Sequence, residues 1–179
     1  MYETSFLVPQ EGMTLTAQNK YKEDAINFGV ARMLALKLVT NQDDLTVRVI
    51  RAFTDFGVGT ITEEEWRFNL ALGLNAGALT VLARPANQIV VFWGVDNFDT
   101  NPEVTLVTFR TAAVGGTTKM MVDAQITRGM LTSAGFLSQP VVYDPQQNII
   151  VDINADAASA TQQCIFNGYI VEPRGQVLS

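Results

Sequence analysis

Histidine is absent from the sequence, and cysteine occurs once, at Cys164. The first absence removes the side chain that most often serves as general base, metal ligand or partner of a serine or cysteine nucleophile. Cys164 stands in an apolar run with Ile165 and Phe166, so a buried, inert thiol is expected rather than a nucleophile. One Cys and no His also argue against a zinc site. There is no G-x-x-x-x-G-K-[ST] phosphate loop, and Gly57 and Gly59 open no dinucleotide fingerprint, because position 62 is Thr62. What remains is carboxylate chemistry. Two acids suffice to hydrolyse a glycosidic bond when held at a set separation. The candidates are Asp96, Asp99, Asp123 and the run Glu63, Glu64, Glu65. Nothing in their spacing brings two of them together, and solvated loop acids are expected.

Asp152, Asn154 and Asp156 imitate the start of a calcium loop. That loop requires Gly at its sixth and Glu at its twelfth position, and here Ala157 and Gln163 stand there. A strand-end calcium site at Asp96, Asp99 or Asp156 is the alternative. Phe92, Trp93 and Phe98 could line a sugar-binding surface. Core packing is the expectation for Phe92 or Trp93, whichever points inward. Asp96, Phe98 and Asp99 fall in or beside the polar run 96–102 and read as surface-loop contacts. No catalytic, cofactor-binding or metal-binding residue is assigned, no cofactor is expected, and the chain reads as non-enzymatic.

The elements that would carry any site follow from composition and period. The 179 residues amount to about one domain, of a size that buries about two-thirds of its unfolded surface without staples. Charged residues make up only 17%, and the net charge is −6 from 12 basic and 18 acidic groups. The basic residues are spread singly, which argues against nucleic-acid binding, since that affinity comes from clustered phosphate contacts. No stretch approaches 18 uninterrupted apolar residues, so no membrane span is expected.

Residues 66–74 place Trp66, Phe68, Leu70, Leu72 and Leu74 on every second position. At 180° per residue they share one face, which predicts a strand of about nine residues. Residues 31–40 and 45–53, separated by a polar turn, read as a hairpin, although Ala, Leu, Met and Lys in the first also favour helix. Further strands are expected over 79–83, 88–95, 104–112, 119–127, 141–143, 148–154 and 163–171, with a connection over 128–139. Many short strands and no long helix predict an all-β antiparallel sandwich of jelly-roll type, with short helical segments at most. The organisation expected is an N-terminal arm and lead-in over 1–30, the sandwich over 31–173 and a tail over 174–179.

The C-terminal forty residues carry a resemblance. Pro140, Tyr143 and Pro145 lead to Ile149, Val151, Ile153 and Asn154. A polar segment over 155–163 follows, and then Phe166, Gly168, Tyr169 and Val171. This resembles the last strands of jelly-roll structural proteins in bacteriophage and related virions. Within it, Gly168 would let the last strand bend or approach its neighbour closely. The resemblance implies a virion protein without catalytic residues: a capsid decoration or cement protein, a single-jelly-roll major coat protein, or a carbohydrate- or receptor-binding virion module. It implies copies of itself and other capsid proteins as partners, a glycan in the last alternative, and a place in the virion after assembly in the host cytoplasm. Phe6, Leu7, Val8 and Pro9 form an aperiodic apolar segment with no evident core of its own, and they are the expected subunit-contact arm.

Overall fold

The computed structural model describes residues 4–59, 64–82, 84–97, 99, 102–112, 116–128, 134–157 and 159–175. In chain order the elements are β1 (Thr4–Phe6), β2 (Val8–Pro9), α1 (Leu15–Ala35), β3 (Leu45–Val49), α2 (Ala52–Phe56), β4 (Arg67–Leu70), β5 (Gly73–Val81), β6 (Ile89–Asn97), β7 (Val104–Arg110), β8 (Thr118–Asp123), β9 (Ala134–Tyr143), β10 (Ile149–Ala155) and β11 (Ser159–Pro173).

They form an all-β sandwich of two sheets, in the orders β1-β8-β7-β10-β5 and β2-β9-β6-β11-β3, with β4 paired to β11 off the second path. Eight of these strands pair in a nested antiparallel series: β3 with β11, β5 with β10, β6 with β9 and β7 with β8. Further antiparallel pairs, β6 with β11 and β7 with β10, then close the two layers. This is a long hairpin rolled into two sheets, the jelly-roll topology. The strands carrying the virion-like residues are its last ones.

The inner faces follow period-two logic. Ile149, Val151 and Ile153 are buried on one side of β10, and Val107 and Phe109 do the same on β7. Phe166 sits at the centre, its ring within 6.2 Å of the rings of Trp66, Phe68, Phe92 and Phe109. Gly168 behaves as its position suggests. A Cβ there would lie 2.5 Å from the Val91 carbonyl oxygen, and the β11–β6 register shifts at Asn167/Gly168.

Three expectations are corrected. First, residues 15–35 form a 21-residue α-helix, not the end of a lead-in and the start of a hairpin strand over 31–40. Thr14 Oγ1 accepts the Ala17 N–H and caps its start. At its end Lys37 turns left-handed at φ 56, while Leu38 N–H donates to Met33 O and Lys37 N–H to Leu34 O. That is a Schellman stop without the usual glycine. Ala25, Gly29 and Met33, four residues apart, face the second sheet and are buried. Gly29 permits the approach, since a Cβ there would meet Val171 Cγ2 at 2.7 Å. Leu45, Ile89, Val91 and Val171 complete this second, smaller core.

Second, the lead-in is part of the sandwich. β1 pairs in parallel with β8, and β2 pairs with β9. Third, the alternation over 66–74 is not one strand. Trp66, Phe68 and Leu70 are buried, whereas Leu72 and Leu74 are two-thirds exposed. The chain leaves β4, paired to β11, and enters β5 in the other sheet through Gly73 at φ 88. The shared face is lost at that crossing. Smaller departures are β9, which starts at Ala134 where a connection was expected, and Leu106, which is half-buried on the outer face.

Candidate functional site

The two sheets present different outer surfaces. α1 roofs the β2-β9-β6-β11-β3 sheet. Nothing among the described residues roofs the other, here called the open sheet.

Beneath the roof, the side chains singled out for a sugar or metal site are consumed by the fold. Phe92 is fully buried in the sandwich core. Trp93 is half-buried, stacked on Phe136 at 5.2 Å, with the Lys22 ammonium 5.0 Å from its ring centroid. Tyr21 of α1 donates its hydroxyl to Leu137 O at 2.6 Å. Asp96 is a residue of β6 rather than of a loop. Its carboxylate bonds the Asn167 side chain and accepts from the Gly135 N–H. Burial, opposed by those bonds and by Lys22, pushes its pKa up to about 6. With Gln10, Lys22, Trp93, Phe136 and Asn167 it lines a cleft of about 230 Å³. Its Oδ1 and Trp93 Nε1 have no partner among the described residues, but both atoms are sealed from solvent, so no ligand in the cleft reaches them.

The other candidates disperse. Phe98 and Glu63 lie outside the described residues. Asp99 Oδ2 accepts from the Gln163 N–H at 3.4 Å. Asp156 pairs with Arg128 at 2.5 Å, and Asp123 caps the turn after β8 by accepting the Gln125 N–H. Glu64 caps α2, accepting from the N–H groups of Phe53 and Thr54 and from the Thr54 hydroxyl, and these bonds hold its carboxyl below the usual range. Glu65 pairs with Arg67. Among the described residues no three acidic or thiol groups gather as metal ligands. Cys164 is buried, and burial pushes its thiol pKa up.

The arm residues divide. Leu7 is 2% exposed and belongs to the sandwich core of its own chain. Val8 is 42% exposed, and Pro9 is half-buried against Gly135 across the β2–β9 pair. Nothing is described of the Phe6 side chain.

Sequence reading missed a buried polar network, because its members are far apart in the chain. Arg48 of β3 donates to Glu172 of β11 at 2.9 Å and to Asp55 of α2 at 2.8 Å. Gln88 donates to Glu172 at 2.6 Å, and Arg84 donates to the Asp55 carbonyl at 3.0 Å and to Gln88 at 2.5 Å. Arg84 also lies 5.4 Å from the Phe56 ring centroid, and burial lowers its pKa. Two cations and two anions balance, so the network clamps one end of the sandwich without a net buried charge.

Among the described residues, an apolar surface is left exposed at the rim of the open sheet. β5 is its outermost strand, with no partner on the far side among the described residues. Leu74 in it, and Leu72 and Leu82 just before and after it, are 66%, 67% and 64% exposed. β10 fixes the side of Leu74. Leu74 pairs with Asn154 and Thr80 with Ile150, both on the outward face of β10. From Phe68 to Ala83 the sequence has no charged residue. Monomeric proteins rarely expose contiguous apolar surface of this kind without a partner for it. Leu72 and Leu74 belong to the alternation of residues 66–74, whose spacing alone predicts one shared strand face.

No protein-family model matches the sequence, and no curated protein matches it. Among solved structures the chain is similar to the VP2 subviral particle of infectious bursal disease virus, at 14% identity and TM-score 0.31, over 72% of this chain and 32% of that one. It is similar to the C-terminal CBM6 of LamC, a marine laminarinase from Zobellia galactanivorans, at 11% identity and TM-score 0.35, over 71% and 99%. It is also similar to the enzymatically active domain of tailspike protein 4 of bacteriophage CBA120, at 9% identity and TM-score 0.27, over 74% and 19%. The chain thus spans about a third of the length of the first and a fifth of the third. Likeness this shallow assigns neither a family nor a function.

Proposed function

We propose that this chain is a non-enzymatic virion structural protein, a capsid decoration or cement protein that works through contacts with copies of itself and with neighbouring capsid proteins. The observation that carries the reading is a juxtaposition in the fold. The residues that resemble virion jelly-roll proteins, Pro140 to Val171, run from β9 into the last two strands of a nested eight-stranded roll. Among the described residues the same roll leaves one sheet unroofed, with exposed leucines and no charge at its rim. The described acids that could have done chemistry serve instead as caps, ion pairs, backbone acceptors or core groups. The glycan alternative draws less support, because Trp93 and Phe92 present no open ring face.

The test is copy number in the purified parent particle, by quantitative mass spectrometry against the principal shell protein. A decoration or cement protein is present in many copies and can be stripped without dismantling the shell. A chain that forms the shell itself would be a major coat protein. Absence from the particle, or turnover of a glycoside substrate by the isolated protein, would overturn the reading.

A further inference from the structure

We propose that the groove between α1 and the end of β9 binds a small amphipathic anion, a carboxylate carrying a compact aromatic or aliphatic body. The inference goes beyond the virion reading and does not rest on it.

The groove is built from three elements. Phe28, Ala31, Arg32 and Ala35 of α1 stand at i, i+3, i+4 and i+7, so they share one side of the helix. β9 contributes Val142 and, just past its end, Asp144, and β8 contributes Lys119. β8 belongs to the open sheet and β9 to the roofed one, so the groove lies at the seam between them. Its volume is about 460 Å³, which is in the range of pockets that take small molecules.

One part of the lining is apolar and uncovered. Phe28 is 61% exposed. Ala31 and Ala35 on the same stripe are exposed as well, and their short side chains leave room beside the ring. An aromatic or aliphatic body laid there would take Phe28, Ala31, Ala35 and Val142 out of water together.

The other part is charged, and its charges do not balance. Arg32 donates from Nε and Nη2 to the two carboxylate oxygens of Asp144, at 2.7 and 2.8 Å. That two-pronged bond engages Asp144 and leaves Arg32 further N–H donors. Lys119 pairs directly with no carboxylate among the described residues. Its ammonium stands 5.1 Å from the Tyr143 ring centroid. Burial lowers its pKa, while Asp144 attracts the charge and Arg32 repels it through space. The groove therefore holds two cations against one anion, in a chain whose net charge is −6.

This imbalance selects the occupant. A cation would meet Lys119 and Arg32 with its own sign. A neutral apolar body would cover the Lys119 ammonium without giving it a partner, which is costly. A single carboxylate satisfies Lys119 and the free Arg32 donors while its body covers the apolar stripe.

The experiment is calorimetric titration of the full chain with phenylbutyrate and with its uncharged amide, phenylbutyramide. The acid is expected to saturate one site at millimolar concentration or below, and the amide to bind at least about tenfold more weakly, for want of a charge-assisted hydrogen bond. Lys119→Met keeps an unbranched apolar stem over Tyr143. It is expected to weaken the acid at least about tenfold and to leave the amide unchanged. Phe28→Ser, at an exposed position, is expected to weaken both. Circular dichroism should be the same for all three proteins. No saturable binding of the acid, equal affinity for acid and amide, or full affinity for the acid in Lys119→Met would each overturn the inference. The comparison of acid with amide needs no variant, so it decides the question even where a substitution disturbs the fold.

Discussion

The two sheets have similar interiors and different exteriors. Both bury alternate apolar residues against a shared core around Phe166, Phe92 and Phe109. Outside, one sheet is apolar again at Val91, Ile89 and Val171, and α1 covers it. The other mixes polar residues, Thr108, Arg110 and Asp152 in neighbouring strands, with Leu106 and Ile150 on its outer face, and leaves leucines exposed at its rim. A sheet with two apolar faces needs two covers, and the chain supplies the second with its own helix. At the edge of the open sheet Leu72, Leu74 and Leu82 are left exposed among the described residues. Stability should therefore depend more on the roofed sheet than on the open rim.

The largest effect expected is on the roofed sheet's inner face. Phe166→Ala should cost about 3–5 kcal/mol, because a buried ring is removed from a cluster of four others and leaves a cavity. Urea denaturation followed by fluorescence reads it; a loss below about 1 kcal/mol would mean that the core is not organised around this ring.

A pH experiment sharpens the same side. The Asp96 carboxyl is raised from 3.8 to about 6, chiefly by burial. In the fold it keeps its proton to higher pH than in the unfolded chain. Its contribution is therefore full below pH 3.8 and is lost as pH rises through about 6. Asp96→Asn should remove that decline and raise stability at neutral pH by about 2–3 kcal/mol. Parallel pH–stability curves for the two proteins would refute the assignment.

Next in size is the roof itself. Gly29→Val puts a branched side chain where Val171 Cγ2 already stands 2.7 Å from the ideal Cβ. A loss of about 1–3 kcal/mol is expected from overpacking. Hydrogen exchange should rise along α1 and stay unchanged in β7 and β10. Uniform loss of protection would instead mean that helix and sandwich unfold as one unit.

The smallest effect belongs to the open rim. Leu74→Thr should change the stability of the monomer by less than about 0.5 kcal/mol, because the leucine is two-thirds exposed. A large destabilisation measured on the dilute monomer would show that the rim packs within its own chain.

Much of this was legible in residue order because strands write their faces locally. Ile149, Val151 and Ile153 against Ile150 and Asp152, or Val107 and Phe109 against Thr108 and Arg110, state which side is inward wherever the strand ends up. The absence of histidine and the scatter of acids likewise bounded the chemistry before any fold was known. Of the core residues expected, Trp66, Phe68, Leu70, Val91, Ile149, Val151, Ile153 and Phe166 are buried, and Leu106 is half-buried.

The features that escaped depend on what lies across space. The buried face of α1 is Ala25, Gly29 and Met33, small residues chosen for close approach to a sheet, and they leave no apolar stripe to read. Its stop at Lys37 lacks the glycine that marks such an end. The network of Arg48, Asp55, Arg84, Gln88 and Glu172 joins residues up to 124 positions apart. Leu70 and Leu72 are two residues apart and identical in type, and only the crossing between sheets at Gly73 makes one core and the other surface. Period-two alternation fixes which residues share a side of a continuous strand. Where the strand breaks, and which side then meets water, is decided by pairing with β11 on one side of the break and β10 on the other.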